Sequence, residues 1–154
     1  LDAKLKEKKM RIPEYVTAEE VKKVCQELNF RDWSDLKEAS VTKEEASRIL
    51  SIVNTQGMDI PIDDFLQGLD VELEHGTRYE DANVTNNHPI LTGKIVLAHL
   101  KEAIDYYKRI DVAEIEGDLL QAIRSKNMEK IESKYKKLIE ANKALNKAIE
   151  DQIK

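Results

Sequence analysis

A chain of 154 residues that is 36% charged and 41% apolar, with only five glycines, is long enough for one domain with a helical appendage and too short for two full domains. That balance also argues against a sheet-rich or a disordered protein. The net charge of −5 is unevenly spread: Asp59, Asp63, Asp64, Asp70, Glu72, Glu74, Glu80 and Asp81 crowd the middle with Arg78 as the one compensating base, while the first eleven residues and the last thirty are rich in lysine. The central segment therefore lacks the basic footprint of a nucleic-acid site. The longest apolar runs, such as Ile95 to Ala98, fall far short of the roughly 20 residues a membrane-spanning helix needs. The lone Cys25 excludes an intrachain disulfide and a thiolate zinc site, which suits a reducing, cytoplasmic setting. Leu1 stands where an initiator methionine would, so a processed or excised chain is expected.

Residues 1–16 read as a basic N-terminal arm. Thr17-Ala-Glu-Glu20 is a capping box, and the stripe Val21, Val24, Cys25, Leu28 predicts a helix over about 18–28, with Cys25 as a small core residue and not a reactive thiol. Phe30, Trp33 and Leu36 predict a short helix or turn that supplies aromatic bulk. Thr42-Lys-Glu-Glu45 repeats the capping box and opens a helix through Ala46, Ile49, Leu50 and Val53 that ends near Gly57, completing a small helical unit over 17–57. Pro61 starts the next helix, with Asp63 and Asp64 in its first turn, an apolar stripe of Phe65, Leu66, Leu69 and Leu73, and Gly76 as its C-terminal stop.

The polar stretch 77–91, with Asn83-Val-Thr85 as a capped turn, is long for a helix connection, and such loops are more often functional than accidental. Thr92 is then expected to cap one long helix running past Val112 towards Ile123. A central helix–loop–helix module over 58–112 and a C-terminal helical arm over 113–154 follow from this. In the arm, Met128, Ile131, Tyr135, Leu138, Asn142, Leu145, Ile149 and Gln152 step by three and four as a heptad seam. That seam packs either within the chain or against another subunit, and Asn142 is either its register-fixing polar position or a surface residue. The fold expected is all-α: a small helical bundle with a long C-terminal hairpin or coiled-coil-like arm.

Chemistry concentrates in two segments. On helices, Glu72 and His75 share one face, and His99, Glu102 and Tyr106 share another. Glu-x-x-His with further His and carboxylate from a second helix is the ligand pattern of carboxylate metal centres in helical bundles, so Glu72, His75, His99 and Glu102 are candidate ligands for iron, manganese or zinc. Asp105, Glu74 and His88 stand in reserve. The second motif runs in reverse, His99-x-x-Glu102, which departs from the dinuclear pattern. The same residues also satisfy a simpler reading, a buried polar network that fixes how two helices meet. Tyr106-Tyr107 reads as core packing plus one exposed ring, and no P-loop, nucleophile elbow or dinucleotide fingerprint is present.

The series Phe65, Gly68, Val71 to Gly76, Asn83 to Thr85, Thr92 to Ile95, Leu97 to Leu100, Glu102 and Asp105 to Tyr107 resembles an uncharacterised family of small domains in bacteria and their phages. The resemblance covers about residues 65–110, with 31–57 and the final seam outside it. It implies no activity, cofactor or catalytic residue. It does imply that the 77–91 loop and the two polar helices form one unit, and that a phage virion component is a possible source. The expected function is thus a non-enzymatic structural or interaction module of a larger assembly, with a protein partner or self-association through the C-terminal helix at Met128, Ile131, Tyr135, Leu138, Asn142, Leu145 and Ile149. Its place would be the cytoplasm or a virus particle assembled there. The alternative is a divalent-metal-binding protein or metalloenzyme using the Glu/His cluster.

Overall fold

The computed structural model describes residues 16–154, so the expected basic arm lies outside the described residues apart from Val16. Six helices, α1 (Ala18–Leu28), α2 (Lys43–Val53), α3 (Ile62–Arg78), α4 (Pro89–Glu102), α5 (Tyr106–Arg124) and α6 (Met128–Ile153), are joined by short turns, and no strand occurs among the described residues. The all-α expectation holds.

Local chemistry explains the helix ends. The Thr17 hydroxyl accepts the Glu20 amide at 3.2 Å to start α1, and α1 stops at Asn29, whose left-handed backbone (φ 59°) is one a carboxamide residue tolerates. At α2 the box is reciprocal: Thr42 Oγ1 accepts the Glu45 amide at 3.1 Å and Glu45 Oε2 accepts the Thr42 amide at 2.9 Å. Glu45 does more than cap. Its buried carboxylate also receives the Trp33 indole N–H at 3.1 Å and two N–H groups of Arg31, each at 3.2 Å. Burial alone would raise its pKa, but the Thr42 amide, the indole and the guanidinium together hold it below the usual carboxylate value. Trp33, in a single turn of 3₁₀ helix and fully buried, is thereby locked to α2.

One hydrophobic core runs through α1 to α5, from Val21 and Cys25 through Ile49, Phe65 and Leu69 to Val96, Leu100 and Tyr107. The 17–57 unit and the 58–112 module share it. Cys25 is buried within it, and that burial pushes its thiol pKa up, as expected of an inert core cysteine.

Three expectations about helix limits need correction. Gly76 does not end α3, which continues to Arg78; Gly76 is buried inside it. A Cβ there would stand 1.9 Å from Asn87 Oδ1 and 2.8 Å from Asn83 Nδ2, so the glycine exists to let the following loop lie on the helix. That loop is shortened to 79–88, with a 3₁₀ turn at Glu80–Ala82 and Asn83 donating to Asn87 at 3.3 Å. Thr92 is not the cap of α4. His88 is: its Nδ1 accepts the amides of Ile90 and Leu91 at 3.2 and 3.4 Å, Pro89 takes the first helical position, and Thr92 sits buried in the first turn donating to the His88 carbonyl.

The third correction is the single long helix expected from Thr92 to Ile123, which is broken at Ala103–Asp105, where Ala103 is extended (φ −152°, ψ 123°). The buried Asp105 holds the new direction. It receives Arg109 through two contacts at 2.9 and 2.8 Å and Gln152 from the far end of α6 at 3.1 Å, and the Arg109 bonds keep its pKa below the ordinary carboxylate value. The turn aims α5 along α3, where Gly68 lets Tyr107 and Val96 approach; an added Cβ would meet them at 2.6 and 2.5 Å.

α5 and α6 form an antiparallel hairpin, with the most extensive contact between any two helices of the chain. Asn127 caps α6 through the Lys130 amide at 3.0 Å, and the small buried residues Ala122 and Ala141 allow close approach. The heptad seam splits across this packing. Ile131, Leu138 and Leu145 are half-buried in the hairpin, whereas Met128, Tyr135 and Asn142 are exposed, and Asn142 donates to the Leu138 carbonyl of its own helix. Asn142 is a surface residue, and the inner half of the seam belongs to intrachain packing.

Candidate functional site

Glu72 is the hub of the polar cluster. α3 carries it past the end of α4 and the start of α5, where its side chain is only 11% exposed. The hydroxyl of Tyr107, buried on α5, donates to Glu72 Oε1 at 2.8 Å. Burial first, and the neighbouring Glu72 second, push the Tyr107 phenol far above its usual pKa, so it remains a donor. His75 Nδ1 lies 3.5 Å from Oε2, and His99 Nε2 lies 3.5 Å from Oε1, the outer limit of hydrogen-bonding distance. The His99 ring stacks flat on Tyr106, with centroids 4.2 Å apart and planes 6° from parallel, and Tyr106 meets Tyr107 edge-on at 5.1 Å.

Three of the four sequence candidates, Glu72, His75 and His99, thus meet around one carboxylate. Glu102 does not join them; it is exposed in the last turn of α4. The reserves are engaged elsewhere: Asp105 with Arg109, Glu74 with Arg78 at 3.0 Å, and His88 at the start of α4. Among the described residues no three His, Cys, Asp or Glu side chains converge on a point suited to a metal ion. The two imidazoles address opposite oxygens of Glu72, an arrangement that braces the carboxylate.

The cluster forms one wall of a cleft of about 410 Å³ between α3 and α5. Tyr106, Val71, Ile110 and Ala113 line its apolar side, and Glu114 is a second carboxylate in the lining. Burial, together with the nearby Glu74 and Asp111 carboxylates, raises the pKa of Glu114. Glu114 was not among the residues singled out from sequence, although its place seven residues beyond Tyr107 puts both on one side of α5. The pair Tyr106-Tyr107 was read there as core packing plus one exposed ring; Tyr107 is buried, but Tyr106 is half-buried against His99 and not exposed, and the bond of Tyr107 to Glu72 has no local sequence signature.

No curated protein matches this chain, and no solved structure does. One family model does: Protein of unknown function (DUF5661), over residues 21–116. The match takes in the 31–57 region that the motif pattern had left out, and it stops within α5, so the end of that helix and all of α6 lie beyond it. Since the matched span holds the α1–α4 body, the Glu72 hub and both tyrosines that close the cleft, the chain belongs to the DUF5661 family of proteins of unknown function.

Proposed function

We propose that the protein is a non-enzymatic interaction module of a larger assembly, whose body is the family domain and whose contact surface is the outer flank of the α5–α6 hairpin. The observation that carries this reading is a set of large apolar side chains left in solvent: Leu120 and Ile123 on α5 are 55% and 52% exposed, and Met128, Tyr135 and Ile139 on α6 are 74%, 58% and 45% exposed. Their spacing keeps each set on one side of its helix. Apolar residues scattered singly need no explanation, but large ones grouped by spacing on both helices of one hairpin, with Leu120, Ile123 and Met128 flanking its turn, support a contact site. This surface includes Met128 and Tyr135 of the expected interaction seam.

Self-association is the form of this reading that requires no second protein. Sedimentation equilibrium of the wild type against Leu120→Lys/Tyr135→Lys tests it: concentration-dependent association lost in the double variant supports it, and a wild type that stays monomeric contradicts it. A processed virion component is one setting that would use such a module, in a particle assembled in the cytoplasm. The competing reading, a divalent-metal protein, draws on the contacts of Glu72 with both imidazoles. Stoichiometric iron, manganese or zinc that disappears in His75→Ala/His99→Ala would favour it.

A further inference from the structure

The cleft at Glu72 has a composition that neither a core nor a metal centre needs. Glu72 and Glu114 both line an opening walled in part by hydrocarbon and aromatic carbon, and neither forms an ion pair with a lysine or arginine among the described residues. The nearby bases are engaged: Arg78 holds Glu74, and Lys108 pairs with Asp64. Glu72 keeps acceptor capacity after taking the Tyr107 hydroxyl, because a carboxylate offers about four lone-pair directions. The Tyr106 ring lines the cleft, and an aromatic ring attracts cations through its quadrupole. A volume of about 410 Å³ lies within the range of small-ligand sites. A bare metal ion would want several converging donors, which this site lacks. An anion would meet the carboxylates of Glu72 and Glu114 in the lining, with Glu74 and Asp111 near Glu114 and Arg78 as the opposing charge there.

We propose that this cleft binds an alkylammonium group, with Glu72 and Glu114 accepting its N–H donors and Tyr106, Val71, Ile110 and Ala113 covering its alkyl stem. The ammonium is that of a free alkylamine or of a lysine side chain. The site is independent of the hairpin surface and holds whether or not the chain self-associates. The raised pKa of Glu114 is consistent with it: neighbouring negative charge disfavours its ionised form, and a bound cation would relieve that.

The test is a ¹H–¹⁵N NMR titration of the full chain with n-butylammonium chloride, with 1-butanol as the neutral control and Nα-acetyl-lysine methylamide as a second ligand. Saturable shifts of amides in the 71–75 and 110–114 segments are expected from at least one ammonium compound and not from butanol. The tighter of the two identifies the source, a free amine or a protein side chain. Glu72→Gln is expected to weaken binding by about tenfold and the exposed Glu114→Gln by about threefold, reflecting one charge-assisted contact each. Glu116→Gln, outside the cleft, leaves affinity unchanged. Because Glu72→Gln also touches the Tyr107 bond, Glu114→Gln and Glu116→Gln keep the test valid if that variant is unstable. Shifts that stay linear with concentration, equal shifts from butanol, or wild-type affinity in Glu114→Gln would overturn the proposal. Displacement of butylammonium by stoichiometric zinc at His75 and His99 would overturn it in favour of a metal.

Discussion

Glu45, which is buried, and Glu72, whose side chain keeps 11% exposure, stand on helices of the same core, yet their surroundings differ in kind. Glu45 receives four N–H groups, from the Thr42 amide, the Trp33 indole and the Arg31 guanidinium, at 2.9 to 3.2 Å. Glu72 receives one firm bond, from Tyr107, while two imidazoles stand at 3.5 Å and a cleft opens beside it. The first is a closed network whose every donor comes from the fold. The second is held in place and left with acceptor capacity. A buried carboxylate that is fully satisfied reports on folding, and one that is braced but unsaturated reports on binding.

The largest predicted effect separates the two. Glu45→Ala leaves the buried Trp33 indole and the α2 cap without their partner and releases the exposed Arg31, and should cost about 2–4 kcal/mol in a urea melt, whereas Glu72→Ala should cost about 1–2 kcal/mol. Equal losses would erase the distinction. Gly76→Ala comes next: the new methyl collides with the Asn87 and Asn83 carboxamides, and stability should fall by about 2–3 kcal/mol. Asn83→Ala/Asn87→Ala in the same background should recover part of that loss. Tyr107→Phe removes the one firm bond to Glu72 and should cost about 1 kcal/mol while leaving far-ultraviolet circular dichroism unchanged.

A pH titration sharpens the contrast further. Burial lowers the pKa of His88, whose unprotonated Nδ1 caps α4. A histidine with a depressed folded pKa binds its proton more readily when unfolded, so its contribution is present above the unfolded value of about 6.5 and is lost as pH falls below it. Glu45 and Asp105, both depressed, add a second loss as pH drops below the ordinary carboxylate range. His88→Asn, which can cap without titrating, should remove the upper step and leave the lower one. The smallest effect belongs to the hairpin flank: Leu120→Lys and Tyr135→Lys should change stability by no more than about 0.5 kcal/mol, since neither is in the core.

What sequence reveals here divides along the same line as local and non-local contacts. The Thr17 cap, though without the reciprocal Glu20 bond expected of a full box, the Thr42 box, the Val21 to Leu28 stripe, and the burial of Cys25 and Trp33 were legible because each depends largely on residues close in sequence. The break at Ala103–Asp105 was not, because the apolar rhythm continues across it and one of the groups that hold Asp105, Gln152, lies forty-seven residues away. Gly76 looked like a helix stop for a related reason: glycine serves both as a terminator and as a gap for close approach, and only the position of Asn83 and Asn87 distinguishes them. At the candidate site the i, i+3 pair Glu72 and His75 and the partner His99 could be named from spacing, while the failure of Glu102 to join them follows from where α4 ends.

The most direct test of the central claim is sedimentation equilibrium on the full chain over a wide concentration range, comparing wild type with Leu120→Lys/Tyr135→Lys at equal thermal stability. The account predicts a wild-type mass that rises with concentration and a variant that remains a monomer. A wild type that is monomeric throughout, or a variant that associates equally well, would contradict the assignment of the hairpin flank as the surface through which this protein works.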